Sequence, residues 1–415
     1  MQIMMLKKII MGVTIILCII IQKRGMIVKL EQKVFTRKNG WNSKMSSLGG
    51  NAQLVLVFGA LALFKNSDLL KQVKTMYPCA SLLGCSTAGS VQGAQVLEDS
   101  LCITAIYFEK SKIKGAMINL SEAGNSLHAG ELLARAIPVS MPGDVPGTED
   151  KLVHVLVLSE GMNVNGSELL RGLTGQLPEN IPITGGMSSD SSSFQETLVL
   201  LDSAPARDTV AIVGLYGSHL QISFSSRGGW DQFGPERKIT RSKGNVLYEF
   251  DGQPALALYK KYLGELAADL PASGLQFPIG IHTGDNEPII VRSLHGIDEN
   301  DQSVSYAGNI PAGAKARLMK ANTERLIAAS SEAARKCMEN THSGPPQLAL
   351  LVTCYGRMLV LRQRTEEEVE GVYEVFGGKT VMTGFYSYGE FSPYDVGYKC
   401  ALHNETMTIT TISEV

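Results

Sequence analysis

The chain has 415 residues, of which 44% are hydrophobic and 19% charged, and its formal net charge is -2. That composition can bury a sizeable core, in one large domain or two. The near-neutral charge excludes any global attraction to nucleic acid or to an anionic membrane surface. Seven cysteines are scattered without a C-x-x-C pair, which suits free thiols in a reducing compartment better than a disulfide framework. The histidines are dispersed too, without H-E-x-x-H, so neither metal nor cofactor is expected.

Lys7 and Lys8 precede an apolar run from Ile9 to Ile21, which Gln22, Lys23 and Arg24 close. The run is short for a bilayer span of ~20 residues. It has the length of a signal-peptide core but no A-x-A-like cleavage site follows. Three readings stand: a weak membrane anchor with Lys8 and Lys23 snorkelling, a secreted leader, or an extension ahead of a true start at Met26. Residues 1–25 are therefore set apart. A cytoplasmic protein is expected, with anchoring through 9–21 as the alternative and membrane contact only if that segment is retained.

One series of elements recurs along the rest of the chain. Leu54–Gly59 (LVLVFG) reads as a buried strand. Ser67-Asp68 caps a helix with Leu69, Leu70, Val73 and Met76 on one face, and Pro78 stops it. Ser81–Gly89 (SLLGCSTAG) is a strand that runs into a small-residue loop. Met141–Asp150, rich in Pro, Gly and acid, reads as an exposed loop. The series then returns: strand Val155–Glu160, a helix capped by Ser167 and stopped by Pro178, and the strand and loop Ile181–Asp190 (IPITGGMSSD).

A different segment follows. Asp251-Gly252-Gln253-Pro254 signals a helix with Leu256, Tyr259 and Leu263 inward, and a second helix starts near Asn322 or Thr323. The third copy has strand Leu348–Cys354 and a helix with a Thr365/Glu368 capping box and Gly377 just past its end. It finishes with the strand and loop Thr380–Glu390 (TVMTGFYSYGE). Each β-α-β crossover implies parallel strands, and the β-rich stretches after each copy imply hairpins. The fold class is α/β leaning to α+β, with two related lobes of mixed sheets: 50–250, 251–395, and a β segment 396–415 that completes the second.

The small-residue loops are the candidate site. Gly84, Ser86 and Thr87 offer close backbone approach and hydroxyls, and exposed N–H groups there could cradle an anion; a packed tight turn reads equally well. Gly185, Gly186, Ser188 and Asp190 could hold an ammonium or hydroxyl, or form a capping cluster. Arg357 could hold a ligand carboxylate or pair with Glu390. Cys354 is a reactive thiol or a small buried hydrophobe. Tyr386, Tyr388 and Glu390 share a face if extended, and suit an amine-bearing ligand or an aromatic seam. No complete catalytic motif is present: GCSTAG has one residue too many for G-x-S-x-G, and FGGKT has Tyr373 where a Walker A needs glycine.

The series GCSTAG, ITGGMSSD, GWDQFGPERKITRSKGNVLYEFDGQPAL, LALLVTCYGR, TGFYSYGE and LHNETMT resembles the FIST family, from about Asn51 to the C-terminus. The first two stretches resemble its N-terminal module and the last ones its C-terminal module. The resemblance implies an intracellular sensory module that binds a small ligand, such as an amino acid. Longer relatives join it to output domains; here no kinase, cyclase, methyl-accepting or F-box segment is recognised, so a downstream signalling protein or self-association is implied. Two other readings stay open. One is a protein-binding scaffold without a small ligand. The other is a thiol enzyme using Cys354 with His282, His295 or His403 as base.

Overall fold

The computed structural model describes residues 28–415 except 44, 144–146, 192–193, 283, 285–287 and 342–343. The readings made for residues 1–25 and for a start at Met26 lie outside the described residues. Among the described residues, no helix is long and apolar enough to cross a membrane.

The recurrent series folds as three β-α-β units. Unit one has strands Leu54–Gly59 and Ser81–Ser86 around helix Ser67–Met76. Unit two has Glu149–Ser159 and Ile183–Met187 around Gly166–Gln176. Unit three has Leu348–Cys354 and Val381–Ser387 around Thr365–Val375. The strands of each pair are parallel. Each first strand also takes an antiparallel return strand: Ser100–Tyr107, Thr209–Tyr216 or Met407–Glu414. Outer strands Lys29–Thr36, Lys112–Asn119 and Leu220–Arg227 extend the three sheets.

The helix starts differ in detail from expectation. Asn66 and Asn165, just before the expected serines, accept the orphan N–H groups of the first two helices. The Thr365/Glu368 box does not form. The Thr365 hydroxyl donates to the Arg362 carbonyl at 2.6 Å, and Glu368 turns into the core. The loop expected at Met141–Asp150 contains a small hairpin, Ser140–Pro142 against Glu149–Lys151.

Each unit lends one short strand to a neighbour. Ser90–Gln92 of unit one pairs with unit three, Val199–Leu201 of unit two with unit one, and Gly389–Pro393 of unit three with unit two. The exchange is cyclic. It presses the second parallel strand between two partners, and Gly84, Gly185 and Gly384 stand at the same register there, opposite Val57, Val157 and Leu351. A Cβ at any of the three would run into the carbonyl oxygen opposite. Only glycine fits so close an approach.

The inner faces of the three sheets meet in one core that includes Leu56, Phe58, Leu156, Leu158, Leu350 and Val352. Phe58 and Phe385 stack across it with centroids 4.8 Å apart. Amphipathic helices cover the outer faces. The two expected lobes thus take the form of three units around one core, with an insert alongside. The insert lies between the outer strand of unit three and helix Thr323–Glu339, and holds an antiparallel sheet over residues 231–320. Its helix, Ala255–Leu263, packs Leu256 and Tyr259 onto that sheet as the sequence predicts. Asn309 ties the insert to unit two by donating to Glu168 at 2.9 Å, and Arg292 ties it to the Leu402 carbonyl at 2.8 Å.

Candidate functional site

The small-residue loops do converge, and there they bond to one another. Ser86 Oγ donates to the Ser189 carbonyl at 2.9 Å and accepts the Leu198 N–H at 3.0 Å. Thr87 Oγ1 donates to the Tyr386 carbonyl at 2.8 Å, and Ser189 Oγ donates to the same carbonyl at 2.5 Å. Gly84, Gly185 and Gly186 lie inside buried strands. Ser188 is buried with its hydroxyl unpartnered. Asp190 accepts the Gln195 N–H at 2.9 Å, the Glu196 N–H at 3.1 Å and the Tyr388 hydroxyl.

A cavity of about 800 Å³ opens beside this junction. Unit two contributes Asn163, Asn165, Met187 and Phe194; unit three contributes Cys354, Tyr355, Tyr388 and Glu405; the insert contributes Ser293, Leu294, His295 and Tyr306. Of the residues singled out from sequence, Cys354, Tyr388 and the candidate base His295 line it. Phe194 stacks on Tyr388 at 4.8 Å, and Tyr355 meets both rings edge-on at about 6 Å. Tyr388 reaches the cavity because it sits at the joint between Val381–Ser387 and Gly389–Pro393, strands of two different sheets. The alternation expected for Tyr386, Tyr388 and Glu390 breaks at that joint. Tyr386 is fully buried and donates to Glu368 at 2.9 Å.

Arg357 is fully buried and pairs with Glu368 at 2.7 Å, not with Glu390. Its remaining N–H groups donate to the Gly228, Leu326 and Glu405 carbonyls and to Ser330 Oγ. The guanidinium is fully engaged within the protein, so a ligand carboxylate finds no free donor there. Glu390 is buried behind the cavity, where it accepts from Ser387 at 2.5 Å and from Thr406 at 2.9 Å. Burial, reinforced by nearby Glu405, pushes its carboxyl up to about 8 despite those bonds.

Glu405 was not visible from sequence. It sits in the turn between Cys400–His403 and Met407–Glu414, with a φ of +60° that non-glycine residues rarely adopt. Its carbonyl accepts from Trp230 at 2.8 Å, and its Oε1 accepts from Ser293 at 2.6 Å. Its Oε2 is buried without a hydrogen-bond partner. Burial raises its carboxyl to about 7, against the opposing pull of Ser293 and Arg357. Gly356 makes room for it, since a Cβ there would collide with the carboxylate. No short motif marks a turn residue of this kind; Phe194, Tyr355 and Ser293 were equally silent.

Burial, then the charges of Glu405 and Glu390, hold the Cys354 thiol well above its ordinary range. His403 Nε2 faces the Ser392 carbonyl at 2.9 Å and His282 Nε2 faces Glu236 at 2.9 Å, while His295 lines the same cavity as Cys354. Among the described residues, no group of three or more His, Cys, Asp or Glu is placed to hold a metal.

Residues 53–253 match the model of the FIST N domain, and residues 255–393 that of the FIST C domain. The chain belongs to the FIST family. FIST domains are sensory domains of signal transduction. An uncharacterized protein of Methanocaldococcus jannaschii is 24% identical over 376 residues, covering 82% of this chain and 70% of that one. An uncharacterized protein of Mycobacterium tuberculosis is also 24% identical over 376 residues, covering 87% of this chain and 91% of that one. Among solved structures, a chorismatase aligns over 93% of this chain and 99% of its own, at 8% identity and a TM-score of 0.32.

Proposed function

We propose that this FIST chain is a sensory module that binds a small polar ligand, an amino acid or a related amine, in the cavity between units two and three and the insert. The observation that carries this reading is the cavity itself: about 800 Å³, walled by three different parts of the chain. A volume of that order suits a small molecule, and aromatic walls with a few polar groups are usual for such sites. A ligand that touches all three parts favours one arrangement of them, which is the condition for signalling. An open, partly polar cavity supports this reading over a scaffold without a small ligand. The free cysteines support a reducing compartment such as the cytoplasm. The signal would pass to a downstream protein. Reaction at Cys354 is the weaker reading, because both neighbouring carboxylates oppose a thiolate.

The test is a thermal-shift screen of the full chain against amino acids, amines, organic acids and nucleotides. Native-state binding raises the melting temperature by mass action. A saturable shift with one chemical class is expected. Silence at millimolar ligand, from folded protein, would remove the sensor reading.

A further inference from the structure

The cavity wall is electrically one-sided. Among the described residues that line it there is no lysine or arginine, while Glu405 contributes a carboxylate. The guanidinium groups of Arg357 and Arg292 lie outside that wall and donate within the protein. Arg357 is engaged with Glu368 and backbone carbonyls. Arg292 donates to the Leu402 and Val291 carbonyls. His295, on the insert, is the one described lining residue that could offer a charge to an anion.

Two independent features then describe the ligand that would fit there. The first is Glu405. One oxygen is fixed by Ser293 at 2.6 Å and the other has no partner, although the residue is fully buried. A buried carboxylate left unpaired is costly, and a cation offsets that cost. The second is the aromatic cluster of Phe194, Tyr355 and Tyr388, which presents ring faces and edges to the same space. Such rings take an apolar or aromatic body and add cation–π attraction to an ammonium held nearby.

We propose that the ligand is an amine with an aromatic or similarly bulky apolar body and no carboxylate, its ammonium held by Glu405 and its body packed on Phe194, Tyr355 and Tyr388. This rests on the sensor reading and narrows it, because a free amino acid would bring a carboxylate that no described lysine or arginine of the wall can meet.

The experiment is isothermal titration of the full chain with three probes of nearly one shape: 2-phenylethylamine, phenylalanine and 2-phenylethanol. The amine is expected to bind, with the amino acid and the alcohol each at least about tenfold weaker. Glu405→Gln is expected to lower amine affinity by about 30-fold or more, the usual scale for losing a buried charge partner. Equal or tighter binding of phenylalanine, or undiminished amine binding by folded Glu405→Gln, would overturn the proposal and leave the sensor reading intact. Failure of the amine to bind also overturns it; the sensor reading falls with it only if the wider thermal-shift screen is silent as well. The comparison of probes needs no variant, so it decides the matter even if Glu405→Gln fails to fold.

Discussion

Glu368 and Glu390 are buried carboxylates, and their partners set their roles. Glu368 has a full complement: Arg357, Tyr386 and Ser330. Removing Arg357 alone would strand that charge, a loss of ~3–5 kcal/mol, so a failed Arg357→Ala variant would report on folding and not on ligand contact. Glu390 has hydroxyl and N–H donors but, among the described residues, no cation within hydrogen-bond reach, and burial pushes its carboxyl up to about 8. Its ordinary value is 4.5. Between those two values the folded state binds the extra proton, so this residue's contribution is complete below pH 4.5 and is lost as pH rises through about 8. Urea midpoints at pH 5 and pH 8.5 should therefore fall less in Glu390→Gln than in the native protein. Equal declines in the two would remove Glu390 from the pH dependence. None of these partnerships was readable in advance. Arg357 and Glu368 are eleven residues apart on different helices, and which carboxylate an arginine meets is decided by packing that spacing does not encode.

At the scale of elements, periodicity announced the parallel strands and their helices, and the proline stops fell where helices end. The lent strands were hidden because three to five residues carry too little pattern to distinguish a strand from a turn. What the sequence did hold was their consequence, the glycines. Gly185 has a φ of +141° and no room for a Cβ against the Val157 carbonyl. Gly185→Ala should cost more than about 1 kcal/mol. Gly175→Ala, in the open helix of the same unit, should be neutral or stabilising by up to ~1 kcal/mol. Denaturant unfolding of the pair separates close approach from any general intolerance of alanine. Matching losses in both would discard the close-approach account. The same distinction explains the candidate loops: small residues there suit ligand contacts or tight turns equally, and Ser86, Thr87 and Ser189 serve the junction between units.

For the whole molecule, the cyclic exchange means that no unit owns a complete sheet. Each relies on another unit for one edge, and all three share the core around Phe58 and Phe385. Unfolding of the three-unit body should accordingly be one event. Cys79 of unit one is exposed, and Cys400, half-buried, lies on a strand that joins the sheet of unit two. Dyes on these two cysteines should report coincident denaturation midpoints. A unit-one midpoint separated from the unit-two midpoint would show that the units unfold independently.

The three units are nearly interchangeable, so the chain has three similar seams where a lent strand crosses. Counting three residues on from Val57, Val157 and Leu351 brings one to Ala60, Glu160 and Cys354. Ala60 is a plain helix start, and the carboxylate of Glu160 is spent on the Met162 and Asn163 N–H groups and on Thr197. At Cys354 the seam borders the insert, whose Ser293 bonds to Glu405 in the cavity wall. The insert thus breaks the threefold equivalence. The seam at Cys354 thereby gains a wall that the repeat alone does not supply, so the asymmetry of the chain, and not its repetition, sets where this cavity lies.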